Sequence, residues 1–469
     1  MTIKKQLKPV LLLIAICLNI TAIHSQIQFN SYIAYSTGSW PKAVSINDLN
    51  NDGRKDVALG MGSYGTSNNN YKVLVYIQNI SGTLNTPVTY SYGSAFPEIS
   101  TLDTADLNQD GKIDMIVGIG TQIGVFFQNN SGTFNPITVI ETGASIISLK
   151  TADLNNDNIT DFAIATTNNE AAVKVYFQNT PGNFTGVSFP KPYIPAFKDI
   201  DIKDINNDGK NDLIFASSNP NAIYTYYQTS ANSFDAYNTI SLNIPSFFSN
   251  FSAGDLNNDG KTDLAITSGG NSPNAKVSIL YQNANSVTFD APVDLSAYDI
   301  PEPIRIADLN NDTKNEIIAV HGGWLKASIF QQNNNLFNTY SLYNIPYASH
   351  YGNQAIAIGD INNDNKKDIA IADYNNGLVI LYNASTLSIE NNSENLNKTI
   401  LYPNPATDHF TIQSNIYTTY EIIDINGKKI VSNKVESQKP IDISTLQNGF
   451  YFVILKTERE KTTYKLIKN

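Results

Sequence analysis

The stretch DLNNDGRKD, residues 48–56, recurs with few changes six more times along the chain. The other copies are DLNQDGKID from Asp106, DLNNDNITD from Asp153, DINNDGKND from Asp204, DLNNDGKTD from Asp255, DLNNDTKNE from Asp308 and DINNDNKKD from Asp360. Numbered 1 to 9, each copy has Asp, Asn and Asp at positions 1, 3 and 5, and an acidic residue at position 9. Seven copies at intervals of 47 to 58 residues indicate that the chain is built from a repeated unit.

The residue types of this nine-residue loop predict a calcium site. Alternate residues of a tight turn can point toward one centre, and Ca²⁺ prefers hard oxygen ligands. Position 6 is Gly in four copies and Asn158, Asn365 or Thr313 in the others, which suits a left-handed backbone. Position 7 is expected to contribute only its backbone carbonyl. The predicted ligands are Asp48, Asn50, Asp52, Asp56, Asp106, Asn108, Asp110, Asp114, Asp153, Asn155, Asp157, Asp161, Asp204, Asn206, Asp208, Asp212, Asp255, Asn257, Asp259, Asp263, Asp308, Asn310, Asp312, Glu316, Asp360, Asn362, Asp364 and Asp368.

The loop has two other interpretations. An EF-hand needs a bidentate Glu at position 12, but position 12 is apolar in all seven copies, and a strand pattern follows position 9 at once. A plain Asx-turn without metal is the second alternative. It leaves three mutually repelling carboxylates in each loop, and the loops hold half of the chain's 42 acidic residues. Calcium is therefore favoured, with the weakest site at Thr313.

The segments around each loop predict four antiparallel strands per unit. One strand enters the loop and a second leaves it. A third has alternating apolar residues, as in YKVLVYIQN (71–79), and a fourth follows a polar turn, as in GTFNPITVIE (132–141). The seventh unit ends after its third strand at Asn383, and residues 27–35 have the pattern of the missing fourth strand. We therefore expect an all-β, seven-bladed propeller over residues 26–385, closed by the N-terminal strand.

These repeats resemble FG-GAP/VCBS repeats, such as those of the seven-bladed propeller of integrin α subunits. The motif D-x-[ND]-x-D-G-x-x-D, seen here as DLNNDGKTD from Asp255, carries the resemblance over residues 26–385. The resemblance implies up to seven structural Ca²⁺ ions in the first-to-second-strand loops, on the face away from the usual ligand surface.

Both ends of the chain indicate export. Three lysines precede an apolar run over residues 10–20, which predicts a signal peptide over residues 1–25, cleaved near Ser25. Residues 386–397 are predicted to be a linker, and residues 398–469 a small β-sandwich. That segment resembles the C-terminal sorting domain of the type IX (Por) secretion system of Bacteroidetes, on YPNP (402–405) and on Leu446, Gly449 and Tyr451. The resemblance implies interaction with the type IX machinery, and a protein that is secreted or held at the cell surface.

Composition excludes some classes of partner. The one cysteine, Cys17, lies in the predicted signal peptide, so the mature chain needs stabilisation other than disulfides. The net charge is −11 and becomes more negative once the signal peptide is removed, which argues against nucleic-acid binding. No segment of the mature chain has the length and apolar character of a membrane span.

No catalytic arrangement is visible in the sequence, so the protein is expected to bind rather than to catalyse. The loops opposite the aspartate loops carry many aromatic residues, and such side chains suit glycan or protein recognition. The candidate ligand contacts are Tyr35, Trp40, Tyr92, Phe96, Tyr193, Phe248, Trp324, Tyr347 and Tyr351. The alternatives are that these rings pack between blades, that the protein is a polysaccharide lyase or glycosidase, or that it is a structural surface component.

Overall fold

A computed structural model describes most of the chain after residue 26. The described residues are 27–95, 97–167, 173–189, 197–242, 248–283, 287–333, 336–385, 400–413, 417–436, 439–457 and 461–469. The predicted signal peptide and linker, together with Phe96 and Tyr193, lie outside these ranges. The chain divides into two compact units, residues 24–387 and residues 388–469. No helix of the described residues has the length and apolar character needed to cross a bilayer.

The described residues of the first unit form thirty strands. They are β1 (Ile33–Tyr35), β2 (Pro41–Asn47), β3 (Asp56–Met61), β4 (Lys72–Tyr76), β5 (Val88–Ser91), β6 (Ile99–Ala105), β7 (Asp114–Ile119), β8 (Gln122–Phe126), β9 (Thr138–Glu141), β10 (Ile146–Ala152), β11 (Asp161–Thr166), β12 (Val173–Thr180), β13 (Asn183–Phe189), β14 (Phe197–Lys203), β15 (Asp212–Ser218), β16 (Asn221–Tyr226), β17 (Gln228–Ser230), β18 (Ser233–Phe234), β19 (Asn238–Ser241), β20 (Phe248–Gly254), β21 (Asp263–Ser268), β22 (Lys276–Leu280), β23 (Val293–Ser296), β24 (Pro301–Ala307), β25 (Glu316–His321), β26 (Lys326–Asn333), β27 (Leu336–Asn344), β28 (Ile356–Gly359), β29 (Asp368–Asp373) and β30 (Gly377–Leu381).

These strands form seven four-stranded antiparallel sheets, numbered 1 to 7 along the chain. Sheets 1 to 6 are β2–β5, β6–β9, β10–β13, β14–β15–β16–β19, β20–β23 and β24–β27, while β17 and β18 form a small hairpin. Sheet 7 contains β28, β29 and β30, and its fourth strand is β1 from the start of the unit. Ile33 pairs with Ile380 and Tyr35 with Leu378, which confirms that the N-terminal strand completes the last repeat.

The first strands of the sheets lie side by side around a ring. Neighbouring strands touch in the order β2, β6, β10, β14, β20, β24 and β28, and β28 touches β2 again. The second strand is fully buried in six sheets and buried except at its last residue in sheet 4, whereas most residues of the fourth strands are exposed. Apolar residues on both faces of the second strand therefore pack between neighbouring sheets, which is where the core lies.

Antiparallel pairing gives each sheet two different ends. The first-to-second-strand loops 48–56, 106–114, 153–161, 204–212, 255–263, 308–316 and 360–368 lie with the third-to-fourth-strand turns at one end, here called the aspartate face. The second-to-third-strand connections and the connections between sheets lie at the other end, here called the aromatic face.

The second unit is a two-sheet β-sandwich. Its strands are β31 (Ile400–Tyr402), β32 (His409–Gln413), β33 (Thr419–Ile423), β34 (Lys429–Lys434), β35 (Pro440–Asp442), β36 (Gly449–Lys456) and β37 (Lys461–Lys468). The sheets β31–β32–β35 and β34–β33–β36–β37 share one core that includes Phe410 and Val453. Asn404, in the YPNP stretch, accepts the N–H of Ile467 at 2.9 Å and donates to the Lys465 carbonyl at 2.7 Å. The opening motif and the last strand thus form one structural element.

Candidate metal loops and aromatic face

The seven aspartate loops share one backbone conformation. Position 6 has a positive φ in every copy, from +64° at Asn158 and Asn365 to +85° at Gly53. Thr313, at +69°, is a β-branched residue in the left-handed region, a conformation that costs such residues about 1–2 kcal/mol. Position 4 is also left-handed in all seven copies, near +60°, and carries Asn six times and Gln109 once. No role was predicted for position 4 from the sequence. The Asn found there in six copies was the signal for this left-handed residue, because Asn is enriched in that conformation.

The side chains of positions 1, 3 and 5 fold back on the loop's own backbone, as the first loop illustrates. The Oδ1 atoms of Asp48 and Asn50 both accept the N–H of Asp52, each at 3.0 Å. Asp48 Oδ2 accepts the N–H of Gly53 at 2.8 Å, and Asp52 Oδ1 accepts the N–H of Arg54 at 2.9 Å. The oxygens of positions 1 and 3 are therefore drawn toward the same point.

The side chain at position 7 has a role beyond the predicted backbone carbonyl. Its cationic group pairs with the outer carboxylate oxygen of position 5 in loops 1, 2, 4 and 7, as in Lys112 with Asp110 at 2.9 Å and Lys210 with Asp208 at 3.1 Å. These pairs are partly exposed, so each contributes little to the free energy of unfolding.

The acidic residue at position 9 is buried and fastens the loop to its own sheet. Asp56 Oδ2 accepts the N–H of Leu49 at 2.9 Å, and Asp56 Oδ1 accepts the N–H of Gln78, just after the third strand, at 2.8 Å. Six loops share this pair of hydrogen bonds. Burial, together with the nearby charges of positions 5 and 1, raises the pKa of Asp56 to about 7. A carboxylate in this setting gains from a nearby cation.

Glu316 is the exception at position 9. Its Oε2 accepts the N–H of Leu309 at 2.9 Å, but its Oε1 is buried without a hydrogen-bond partner. Burial raises the pKa of Glu316 to about 8, the highest value among the seven position-9 acids. The sixth loop thus combines an unfavourable Thr313 with an unsatisfied acid.

The donor chemistry of the loops fits a hard cation. Positions 1, 3 and 5 offer two carboxylates and one amide oxygen within a single turn, the ligand types that Ca²⁺ prefers. Within the described ranges, no group of three or more His, Cys, Asp or Glu side chains is already arranged as a metal cage. Position 9 points its oxygens at backbone N–H groups, although each oxygen keeps a second lone pair. A bound cation would supply charge neutralisation, while these side chains hold the loop in shape.

A buried amide side chain joins neighbouring sheets at the aspartate face. The residue concerned lies near or just after the end of the third strand and is buried in every sheet: Gln78, Gln128, Gln178, Gln228, Gln282, Gln332 and Asn383. In five sheets this side chain donates to the carbonyl of position 2 in the preceding sheet's loop. Gln228 reaches Leu154 O at 2.8 Å, and Gln78 crosses the ring closure to Ile361 O. Sheets 2 and 3 bond their own loops instead.

The structure divides the predicted ligand contacts into two groups. Trp324 and Tyr347 are 38 % and 51 % exposed, and Trp40 and Tyr35 are partly exposed, although Tyr35 also packs edge-on against Tyr76. Three positions require correction, because their side chains are buried between sheets and offer no ring to a ligand: Tyr92, Phe248 and Tyr351. The prediction treated every aromatic connection residue alike, but these three pack inward.

The exposed rings at the boundary between sheets 7 and 1 form a continuous row. Trp40 lies 4.8 Å from Tyr64 and 4.6 Å from Tyr374, measured between ring centroids, with interplanar angles of 33° and 24°. His350 lies 4.0 Å beyond, on Tyr374. Tyr64 and Tyr374 belong to second-to-third-strand connections and were not among the predicted contacts. These four residues are here called the ring row.

A charged pair lies beside the ring row. Lys42 Nζ is 5.5 Å from the centre of the Tyr374 ring and 3.1 Å from Glu98 Oε2. Glu98 Oε1 also accepts the N–H and the hydroxyl of Ser63, at 3.0 and 2.6 Å. Burial and the nearby Lys42 lower the pKa of His350.

Comparison with known families decides what the repeats are. The family described as FG-GAP-like repeat matches residues 48–117, 106–164, 204–266 and 255–319, and the secretion system C-terminal sorting domain matches residues 400–469. The chain therefore contains FG-GAP-like repeats over residues 48–164 and 204–319 and a sorting domain over residues 400–469. The matched ranges contain six of the seven loops. The seventh loop, at Asp360, lies outside them but has the same hydrogen bonds as the other loops.

A solved structure supports the propeller fold of this FG-GAP-like repeat chain. A lectin of Agrocybe aegerita, described as recognising non-reducing terminal N-acetylglucosamine, aligns with a TM-score of 0.50 and 17% identity, over 68% of this chain and 84% of the lectin. BBS1N in complex with ARL6DN aligns with a TM-score of 0.48 and 9% identity, over 78% and 98% of the two chains. No curated protein matches the sequence.

The centre of the FG-GAP-like ring is bridged by the segment before β28. Gln354 accepts the hydroxyl of Thr101 at 2.6 Å and donates to Ser148 Oγ at 3.1 Å, which joins sheet 7 to sheets 2 and 3. Asn353 donates to the carbonyl of Lys198 in sheet 4. These bonds tie strands on opposite sides of the ring, so the polar centre serves to hold the ring together.

Proposed function

We propose that the protein is a secreted or cell-surface binding module whose aromatic face contacts a glycan or protein ligand. The observation that carries this proposal is the ring row, in which Tyr64 is 56 % exposed although its ring packs against Trp40 at an interplanar angle of 33°. Large exposed aromatic groups in a fixed arrangement are typical of recognition surfaces. The sorting domain at residues 400–469 implies interaction with the type IX secretion machinery and supports secretion with surface attachment.

We further propose that the aspartate face has a structural role. Ca²⁺ at the seven loops would offset the repulsion between the acids at positions 1, 5 and 9 of each loop. The chain would thereby gain the stability that disulfides give to many exported proteins. We also propose that the chain is cleaved near Ser25 and that the sorting domain is removed after export. N-terminal sequencing and the intact mass of the protein recovered from the medium or the cell surface test both cleavages.

A binding screen tests the proposed function directly. The mature protein is applied to a glycan array and, separately, to immobilised surface proteins, with Ca²⁺ present. N-acetylglucosamine-terminated glycans belong on the array because a lectin of the same fold class is described as recognising that sugar. We expect saturable binding to one ligand class. Absence of binding to every glycan and protein would leave a purely structural surface component as the better interpretation.

A polysaccharide-active enzyme is the second candidate, and Glu302 is the observation that favours it. Glu302 lines a cavity of about 350 Å³ with Lys198 and Asn353, and burial raises its pKa to about 7. A carboxyl group that is still partly protonated near neutral pH can act as a general acid. Product release from a panel of polysaccharides, compared between the wild type and Glu302→Gln, separates a lyase or glycosidase from a binding module.

A further inference from the structure

We propose that the ring row is a binding subsite for a neutral, pyranose-containing glycan. This inference rests on the proposed binding function of the aromatic face and names the ligand class and the residues. Four residues from separate connections build the site: Trp40 before β2, Tyr64 between β3 and β4, His350 before β28, and Tyr374 between β29 and β30.

The arrangement of the rings leaves Tyr64 as the outer surface of the row. Tyr64 and Tyr374 each lie within 5 Å of Trp40, and the ring contacts of the described residues do not include one between the two tyrosines. They therefore cover opposite faces of the indole. Tyr64 is 56 % exposed, so its far side and the edges of the inner rings are open to a ligand. The open face of Tyr64 is therefore a flat aromatic platform, with the edges and polar tips of the other rings beside it.

The loops that carry the row are held by their own side chains. Asn70 Oδ1 accepts the N–H of Tyr64 at 2.9 Å and the hydroxyl of Ser39 at 2.6 Å. Asp373 Oδ1 accepts the N–H groups of Asn375 and Asn376 at 3.0 and 2.9 Å, which fixes the turn at Tyr374. A platform ordered before binding loses little conformational entropy when a ligand arrives.

The surroundings of the row favour a sugar over a protein. The connection from Ser63 to Asn70 is made of small and polar residues apart from Tyr64 itself. A stable protein–protein interface buries roughly 800 Å² of surface on each partner and has an apolar centre. A pyranose ring instead presents a flat patch of C–H groups with hydroxyls at its rim. The C–H patch fits an aromatic face, and the hydroxyls can bond the tyrosine hydroxyls and His350.

The charges favour a neutral glycan over an acidic one. Lys42 is neutralised by Glu98 at 3.1 Å, so it offers no free cation to a carboxylate or sulfate group. The His350 ring packs against Tyr374 at an interplanar angle of 45°, and burial and the nearby Lys42 lower its pKa. The whole chain carries a net charge of −11, which repels polyanions at a distance.

Tryptophan fluorescence tests the subsite, because Trp40 and Trp324 are the only two tryptophans of the chain. Trp324→Phe leaves Trp40 as the single reporter, and Trp40→Phe leaves Trp324. The probes are xyloglucan, galactomannan and chitin oligosaccharides as neutral glycans, and polygalacturonate as the acidic one. We expect at least one neutral probe to change Trp40 emission saturably, and polygalacturonate to have no effect.

Variants of Tyr64 locate the contact. In the Trp324→Phe background, Tyr64→Ala is expected to raise the Kd for the neutral probe at least tenfold, whereas Tyr64→Phe keeps it within about threefold. Tyr32→Ala, which removes another exposed tyrosine at a site outside the aromatic face, is the matched control and is expected to bind normally. Thermal melting of each full-length variant verifies that the fold is retained.

The outcomes separate the subsite from the proposed function. A ligand from the array or the protein screen that still binds, with Trp40 emission and Tyr64→Ala affinity unchanged, overturns the subsite but leaves the binding function standing. Tighter binding of polygalacturonate than of every neutral probe overturns the assigned ligand class. A protein that binds no glycan and no protein overturns both proposals.

Discussion

The two ends of the ring differ in how regular they are. At the aspartate face the same hydrogen bonds recur sheet after sheet: position 1 accepts the N–H of position 6 in all seven loops, at 2.8 to 3.0 Å. At the aromatic face the connections differ in length and residue type, and the ring row occurs at the boundary of sheets 7 and 1. Hydrogen bonds that recur in every sheet are expected of a structural role, because each sheet must be stabilised in the same way. Connections that differ from sheet to sheet are typical of a surface that binds a ligand.

Removal of calcium is expected to give the largest effect, because it acts on all seven loops of the aspartate face. At a Ca²⁺ concentration ten times the Kd, each loop gains about 1.4 kcal/mol, so seven loops add on the order of 10 kcal/mol to the free energy of unfolding. Thermal melting of the full chain in Ca²⁺ and in chelator, with Mg²⁺ as the control ion, measures this difference. An unchanged melting temperature, with no Ca²⁺ found by metal analysis, would reduce the loops to Asx-turns.

His321 provides a pH test of the aromatic face. Its ring is buried, bonded to Asp299 O at 2.9 Å and Ser328 Oγ at 2.8 Å, and burial lowers its pKa to about 4. The folded state therefore binds fewer protons than the unfolded state between about pH 6.5 and about pH 4. The free energy of unfolding should fall by roughly 3 kcal/mol as the pH drops through this window, through this residue alone.

The measurement for His321 is a difference between two proteins. Denaturant unfolding of the wild type and His321→Gln is followed from pH 7 to pH 4 at saturating Ca²⁺. The loop acids, whose raised pKa values give the opposite slope without metal, are common to both proteins and cancel. Parallel pH profiles for the two proteins would show that His321 does not titrate as described.

The inter-sheet amide bonds can be broken one at a time. Gln228→Leu keeps the side-chain volume but removes the donor to Leu154 O, which bonds at 2.8 Å. We expect a loss of about 1–2 kcal/mol in the free energy of unfolding, because a buried carbonyl loses its partner. Gln122→Leu, which removes an amide bonded to the exposed Glu141 side chain on sheet 2, is the control and should cost less than about 0.5 kcal/mol. An equal loss of unfolding free energy in Gln228→Leu and Gln122→Leu would show that the inter-sheet bond contributes no more than a surface contact.

The smallest effect concerns position 6 of the loops. Thr313→Gly relieves a β-branched residue of its left-handed conformation and should raise the free energy of unfolding by about 1 kcal/mol. Gly260→Thr is the reciprocal change in the fifth loop, where an added Cβ would meet nothing within 4 Å. It should cost a similar amount through backbone strain alone. Denaturant unfolding of both variants in chelator tests whether the two changes are equal and opposite. A Thr313→Gly variant less stable than the wild type would contradict the prediction.

Features that depend on neighbours along the chain could be predicted from the sequence alone. The period of the repeat, the four-strand units and the left-handed turn at position 6 follow from local patterns. Closure by residues 27–35 also followed, because the seventh unit visibly lacked a fourth strand. The YPNP opening and the terminal strand marked the sorting domain in the same way.

Which distant residues meet depends instead on how the sheets pack. Gln78 and Ile361 are 283 residues apart, and the ring row joins connections that are remote in sequence. The direction of each aromatic side chain was likewise invisible, since Tyr92 packs inward whereas Tyr64 faces solvent. The physical reason is that local patterns set backbone conformation, whereas burial and stacking depend on the neighbouring sheet, which a linear pattern does not contain.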